Sequence, residues 1–351
     1  MGDIKEVESA FAPSMNIDHI HFFVEDARFW RDWFVQILGF QAVSSSADCH
    51  THREIVKSGA VTFLLSSALT QESSVAHYLE QHPPGVVDVA FQVKDVPAAI
   101  AQARQAHAKI LQSAGTYQIL GWGNLRHTLL ETQSSIVPPS TITAIDHIVF
   151  NVAKGELEQA VAFYEQVFGF QRQQSFAIRT DRSALCSQVL THPHGSIKFP
   201  INEPVTPTSQ IQEFLDLNGG AGIQHLALQT EDIIEAIARF RRRGLAFLQV
   251  PWSYYEQLRQ RAGFQLTEAE WRAIAAQEIL VDWQLEHSQA LLLQAFTQPV
   301  FSQPTFFFEL IERRRCWVGE VEKTAQGFGE ANFQALFEAI EREQMKRGSL
   351  G

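Results

Sequence analysis

Short runs of interleaved apolar and polar positions, rich in β-branched and aromatic types, punctuate the chain, and stretches of helical spacing separate them. Residues 15–24 form the first run and read as a strand. Phe29, Trp30, Trp33, Phe34, Ile37 and Leu38 then recur at helical spacing, and Gly39 stops the pattern as a left-handed residue after a helix does. The same order returns roughly 130 residues later, which is the signature of an internal repeat. Residues 144–152 read as a strand, Leu157, Val161, Tyr164 and Phe168 stripe a helix, and Gly169 ends it. Residues 85–93 and 222–229 are a second matching pair of strands. Helices follow them at about 96–106 and 232–243, with Gly244 after the second.

The pattern predicts an α+β chain built as a tandem duplication. Residues 1–14 read as a loose tail, 15–131 as an N-terminal domain, 132–143 as a linker rich in Ser and Pro, and 144–351 as a C-terminal domain. The second copy carries extra parts. Residues 279–283 and 289–296 look like a hairpin, and residues 312–323 are a charged stretch. Gly327-Phe328-Gly329 leads into a final helix at 330–345, striped by Phe333, Leu336, Phe337 and Ile340.

Three strand residues carry candidate chemistry. His147 and His225 each stand alone in a strand of the second copy, and Glu309 lies between Phe306-Phe307-Phe308 and Leu310-Ile311. Two imidazoles and one carboxylate on separate strands match the facial ligand set of non-haem Fe(II) oxygenases, which leaves the opposite face open to substrate and O₂. The separation in sequence is no motif, and a chain with 13 histidines offers many such triples. A lone strand histidine is also compatible with a hydrogen-bonded core residue. Glu309 is compatible with an exposed edge position; buried, it would need a cation or metal. The first copy keeps His19 at the place of His147, has Asp88 where the second has His225, and has Glu131 near the place of Glu309. It therefore reads as a copy without a working metal site, with His19 structural.

Composition narrows the partners. At 351 residues and 45% apolar content the chain can bury two cores of ordinary size. A net charge of −11 argues against nucleic acid. No run of membrane-spanning length and no basic-then-apolar leader is present, so neither a membrane nor a secretory route is expected. Three unclustered cysteines point to a reducing cytoplasm. The 26 Phe against 5 Tyr suit both a core and a pocket for an aromatic ligand.

The segments Pro200-Ile201-Asn202-Glu203-Pro204, Gln210-Ile211-Gln212-Glu213-Phe214, Asn218 through His225, and Gly327-Phe328-Gly329 to Phe333 occur in order around the three candidate ligands. With the repeat, they make the chain resemble the 4-hydroxyphenylpyruvate dioxygenases of the vicinal oxygen chelate superfamily, from about Met15 to Gly348. The resemblance implies two open-barrel domains of βαβββ-type modules closed by a C-terminal lid helix. It implies Fe(II) held by His147, His225 and Glu309. It also implies conversion of 4-hydroxyphenylpyruvate and O₂ to homogentisate and CO₂, by oxidative decarboxylation, ring hydroxylation and side-chain migration. It assigns Ser187, Asn202, Gln210 and Gln294 to the substrate pocket and sets Gln224 beside a ligand, with Gln224, Gln294 and Asn202 nearest the chemistry. Phe296, Phe307, Phe328 and Phe333 become its aromatic walls. Glu330-Ala331 before Asn332 departs from the family's usual glycine and bears on lid geometry. A homo-oligomer, dimer or tetramer, is implied as well, with homogentisate used in tyrosine breakdown or in quinone and tocopherol synthesis. The alternatives are 4-hydroxymandelate synthase on the same scaffold, a metal-free binding protein of the superfamily, and a zinc or nickel lyase of the superfamily.

Overall fold

The computed structural model describes residues 15–113, 115–132, 137–180 and 183–347. The expected tail at 1–14 and the middle of the expected linker lie outside these residues. So do the side chains of Leu336 and Phe337 in the expected stripe.

Two eight-stranded sheets dominate. The first contains β1 (Met15–Phe23), β2 (Gln41–Ala47), β3 (Thr51–Ser58), β4 (Val61–Ala68), β5 (Gly85–Val93), β6 (Lys109–Ser113), β7 (Thr116–Leu120) and β8 (Arg126–Glu131). The second contains β9 (Ala144–Asn151), β10 (Gln171–Arg179), β11 (Ala184–Thr191), β12 (Lys198–Pro204), β13 (Gly222–Gln229), β14 (Leu280–Asp282), β15 (Leu292–Phe296) and β16 (Phe307–Arg313). The spatial orders are β2-β3-β4-β1-β5-β8-β7-β6 and β10-β11-β12-β9-β13-β16-β15-β14. Adding eight to each label of the first gives the second. The duplication is therefore topological as well as sequential, and the tandem vicinal oxygen chelate architecture is present.

Helices α1 (Ala27–Trp33), α2 (Ser74–Leu79) and α3 (Val96–Gln105) serve the first half, and α4 (Leu157–Phe168), α5 (Gln210–Asn218) and α6 (Ile233–Arg242) the second. Asp26, Asp95, Ser209 and Asp232 cap α1, α3, α5 and α6 by accepting from backbone N–H groups of the first turn. Gly39 and Gly169 end the first helix of each half with φ of +74° and +73°, a conformation that costs glycine little. In α4 the buried face is Leu157, Ala160, Val161, Tyr164, Val167 and Phe168, as its spacing predicts. The α1 region departs from expectation. After Trp33 the chain widens into a π turn over Phe34–Leu38, and the buried face becomes Ala27, Trp30, Phe34 and Leu38. Phe29 falls one position off that face and is 58% exposed.

The second half has an insertion that hydrophobic periodicity left unassigned, α7 (Trp252–Leu258) and α8 (Glu268–Ala276). The charged stretch folds as a hairpin of β17 (Arg315–Val318) and β18 (Val321–Thr324). The final helix α9 spans Glu330–Arg347.

The convex faces of both sheets meet the helices in one shared core. Tyr164 of α4 is fully buried, and its hydroxyl lies 3.0 Å from His127 Nε2 of β8 in the other half. His127 Nδ1 faces Val89 O at 3.0 Å. A carbonyl only accepts, so Nδ1 donates to Val89; in the neutral ring Nε2 then accepts from the Tyr164 hydroxyl. Burial pushes the pKa of His21 down, and those of His127 and His192 down to about 4, from the usual 6.5. The unfolded chain then binds these protons first. Their contribution to stability is complete above pH 6.5 and is lost as pH falls toward 4. The melting temperature is expected to drop across that window, and less steeply in His127→Gln. An unchanged slope in the variant would remove His127 from this account.

Candidate metal centre

Strand parity and register bring the candidate residues together. On β9, His147, Val149 and Asn151 face the concave side of the second sheet. Ala227 pairs with His147 and His225 with Val149, so His225 of β13 faces the same way. Glu309 of β16 pairs with Ala227, and Phe307 with His225. Phe296 of β15 pairs with Glu309 and Gln294 with Ile311. On the other side Asn202 of β12 pairs with Asn151, and Ser187 of β11 with Asn202. Six neighbouring strands thus aim Ser187, Asn202, His147, His225, Glu309, Gln294 and Phe296 into one cup.

Two β-bulges flank the histidines. The β9–β13 register slips between Ala227 and Leu228, which frees Asp146, and between Ile223 and His225, which frees Gln224. Bulges re-aim side chains beside sites of this kind. Asp146 uses its freedom to hold His147, its Oδ1 2.9 Å from His147 Nδ1. That contact leaves Nε2 of His147 facing the cup. It lies 3.1 Å from Glu309 Oε2, and His225 Nε2 lies 3.5 Å from the same oxygen. Donors at right angles on one ion with bonds near 2.1 Å would stand about 3 Å apart. All three residues are buried, and their ligating atoms lie within 4.8 Å of one another. Among the described residues this is the one His/Cys/Asp/Glu group so arranged.

The electrostatics fit a cation. Burial alone would raise the Glu309 carboxyl; His147 and His225 outweigh it and bring it down to about 2. Burial disfavours protonation of His147, but Glu309 and Asp146 reverse the sign and its pKa rises. Burial dominates at His225, which is pushed down toward the neutral ligand form. Both ring nitrogens of His225 are buried without a hydrogen-bond partner. An orphaned imidazole beside a buried carboxylate is costly in a purely structural role and is accounted for by a metal.

The other expected residues divide into two groups. Ser187 Oγ, Asn202 Oδ1 and Gln210 Oε1 are buried with no partner, as groups kept for a ligand would be. Gln294 is fully engaged. Its Nε2 donates to Glu309 Oε1 at 2.8 Å and lies 3.2 Å from Phe328 O, while its Oε1 accepts from Asn332 Nδ2 at 2.7 Å. Asn332 also takes a 3.2 Å hydrogen bond from Tyr254 of α7. Gln210 and Gln224 line a cavity of about 290 Å³ with Phe214, Leu248, Phe307 and Ile340.

Of the four expected wall residues, three touch the ligands. Phe307 stacks on His225 with centroids 4.7 Å apart, Phe296 meets it edge-on at 6.5 Å, and Phe328 meets His147 at 5.2 Å. Phe333 instead packs on Phe176 at 5.1 Å, in a smaller cluster with Ile178, Leu185, Ile211 and Phe214. Asp146 and Arg313 were not anticipated from the sequence. The doubled Ile-Asp-His segment held the signal for Asp146. Arg313 follows Glu309 by four strand positions, and so shares its face.

The first half shows why it lacks this set. His21 pairs with Asp88 as Val149 pairs with His225, so Asp88 does occupy the His225 register. Asp88 pairs with Arg126 and Phe91 with Leu129, which puts Thr128 at the Glu309 register. Glu131 stands three positions further on, corresponding to Glu312. Thr128 donates to Asp88 through its backbone N–H, at 2.9 Å, and through its hydroxyl, and Gln118 adds a third bond at 3.1 Å. The cup of the first half is closed on itself.

Comparison with known proteins supports the same grouping. Residues 16–121 and 144–268 match the glyoxalase/bleomycin resistance protein/dioxygenase superfamily, once per half. The 4-hydroxyphenylpyruvate dioxygenase of Yarrowia lipolytica is 34% identical over 98% of this chain and 96% of its own length. That of Legionella pneumophila is 35% identical over 89% and 90%. A solved triple mutant of 4-hydroxymandelate synthase from Streptomyces coelicolor superposes with a TM-score of 0.82. It is 28% identical and covers 95% of this chain and 99% of its own.

Proposed function

This chain belongs to the glyoxalase/bleomycin resistance protein/dioxygenase superfamily and, within it, to the 4-hydroxyphenylpyruvate dioxygenases, and from that premise we propose how its second half does the work. The reaction is conversion of 4-hydroxyphenylpyruvate and O₂ to homogentisate and CO₂. The substrate carries its own α-keto acid, so no separate keto-acid cosubstrate is consumed. The observation that carries the site assignment is the buried His147–His225–Glu309 cluster, in which neither nitrogen of His225 has a hydrogen-bond partner.

In this reading His147, His225 and Glu309 hold Fe(II) on one face. The bound ion supplies the one-electron chemistry that O₂ needs and open positions for the keto acid. Asp146 fixes the His147 tautomer, and Gln294 fixes the Glu309 carboxylate. Ser187, Asn202 and Gln210 offer unspent hydrogen-bonding atoms to the polar ends of the substrate. Phe296, Phe307 and Phe328 confine the ring and exclude water from the ligands. We further infer a cytoplasmic homo-oligomer, on the cysteine usage and the resemblance. Among the described residues no helix is long and apolar enough to cross a membrane.

The test is anaerobic incubation of the metal-free protein with Fe(II) and 4-hydroxyphenylpyruvate, then air, with product identification. Homogentisate is expected. 4-Hydroxymandelate as main product would move the chain to the synthase, and no turnover with Fe(II) would remove the dioxygenase assignment.

Phe296 is the residue placed to set which carbon reacts. It pairs with Glu309 across β15 and β16, and it packs edge-on to Phe307 at 6.3 Å. Phe296→Ile leaves the three ligands in place but opens room for the substrate ring to tilt, bringing the benzylic carbon nearer the reacting oxygen. The variant is expected to turn over more slowly and to yield some 4-hydroxymandelate. A change of about 1.4 kcal/mol in relative barriers is tenfold in product ratio, which chromatography resolves. Homogentisate alone from the variant would refute this role for Phe296.

A further inference from the structure

We propose that Arg313 is a positioning residue that ties the seat of the C-terminal helix to the imidazole of His147, so that holding the metal and keeping the helix closed are linked. The inference rests on the metal-centre reading above and extends it to a residue that touches neither metal nor substrate.

Arg313 ends β16 on the same face as Glu309. Its Nε and Nη2 grip Asp146 through both carboxylate oxygens, at 2.6 and 2.8 Å. Its Nη1 reaches the other way, to the carbonyls of Ala325 at 3.1 Å and Gly327 at 2.9 Å. Asp146 in turn holds His147 Nδ1. The gripped carbonyls belong to the segment that launches α9. There Gly327 and Gly329, with φ of +78° and +73°, bracket Phe328, and Phe328 lies against the same imidazole. One planar fork therefore sets both the partner that orients His147 and the backbone that delivers its neighbouring ring.

Neutralising Asp146 does not by itself require this arginine. Lys198 Nζ is 3.3 Å from the same carboxylate. What Arg313 adds is reach in two directions. A lysine in its place keeps the charge but lacks the planar fork. The first half supplies an internal control. Asp18 occupies the bulge position of Asp146 and lies 2.6 Å from His19 Nδ1, but Gln92 holds it, with Nε2 2.6 Å away. The register position of Arg313 is there taken by Thr132. The half that lacks the metal set and the closing helix also lacks the arginine.

Linkage makes this testable in both directions, because a coupling between two events acts equally on each. The readout is the rate of limited proteolysis within residues 324–330 of the full-length metal-free protein, with and without saturating Co(II), with cleavage located by mass spectrometry. In the wild type Co(II) is expected to slow cleavage about tenfold. In Arg313→Gln, Co(II) affinity should fall about 10–100-fold, as for loss of a ligand's supporting partner. With Co(II) saturating for that variant, the protection should disappear. Arg313→Lys keeps the buried positive charge and covers the case in which the glutamine variant fails to fold. It too should lose the protection, with a smaller loss of affinity. Full protection in Arg313→Lys would overturn the proposal. So would a wild type that binds Co(II) with no change in cleavage. A wild type that does not bind Co(II) would overturn the metal-centre reading itself, and the linkage with it.

Discussion

Alanine at His147, His225 or Glu309 is expected to abolish turnover and strip the protein of iron, while His19→Ala keeps both. The contrast follows from two cups with the same strand order and different contents. In the second, three buried donors converge, and neither nitrogen of the His225 ring has a hydrogen-bond partner. In the first, the equivalent registers hold His19, Asp88 and Thr128, and Asp88 is satisfied by Thr128 and Gln118. Removing one ligand from a three-ligand face leaves two donors, which no longer fix the open positions. The loss should exceed the roughly 10–100-fold that attends loss of an outer partner. Removing His19 breaks a contact with the half-buried Asp18, which Gln92 still holds. Iron content of the purified variants and product formation are the measurements. If His19→Ala lost iron and His225→Ala kept it, the working site would lie in the first half.

Glu309→Gln separates charge from shape at the same position. The amide keeps the size and one acceptor but removes the negative charge that holds the His147 pKa up and would offset half the charge of a divalent ion. Its iron content is expected to fall almost as far as that of Glu309→Ala, whereas a role limited to packing between Phe308 and Leu310 would leave iron content unchanged.

What was legible in the sequence follows from what strands and helices write into it. β9, β13 and β16 could be read because each is a short apolar run interrupted by one ligand residue, and because the repeat supplied a second copy for comparison. α4 could be read because its stripe is continuous and ends in glycine. The bulges could not. One extra residue on one strand leaves composition and periodicity unchanged, yet it decides that Asp146 and Gln224 leave the ladder. The same limit misplaced the first half's counterpart of Glu309. Nearness in sequence pointed to Glu131, and the ladder pointed to Thr128. Phe29 failed for a simpler reason. It lies in α1 ahead of the π turn, beside the Ala27–Trp30 face rather than on it, and an apolar residue next to the stripe was counted into it. α7 and α8 belong to no repeated unit, so nothing elsewhere in the chain announced them. Yet α7 supplies Tyr254, which steadies Asn332.

Truncation after Gly327 is expected to leave folding and the three ligands intact, to weaken iron binding only by its coupling to the closed helix, and to uncouple turnover. The deleted segment carries Phe328, Asn332, Phe333 and α9, but none of the three ligands. Its removal strips the Phe328 ring from His147 and takes away the amide that fixes Gln294, whose other end holds Glu309. The two sheets keep their own ladders, and the shared core needs none of the deleted residues. What changes is access. Phe328 and Asn332 are buried in the intact protein, at 2% and 0% exposure, so losing them opens the ligand face to water. A reactive site that admits water consumes O₂ without delivering it to the ring. The expected result is O₂ uptake in the presence of 4-hydroxyphenylpyruvate that exceeds homogentisate formed, with total product falling by about two orders of magnitude or more. With Fe(II) in excess of the weakened affinity, iron content should stay near one per chain. Asn332→Ala in the full-length protein, which removes one bond of the Tyr254–Asn332–Gln294–Glu309 chain and keeps the helix, should fall between the wild type and the truncation in its ratio of product to O₂ consumed. Full coupling in the truncated protein would show that the helix covers the site without protecting it. Loss of iron even with Fe(II) in excess would place α9 among the elements that build the ligand face rather than those that close it.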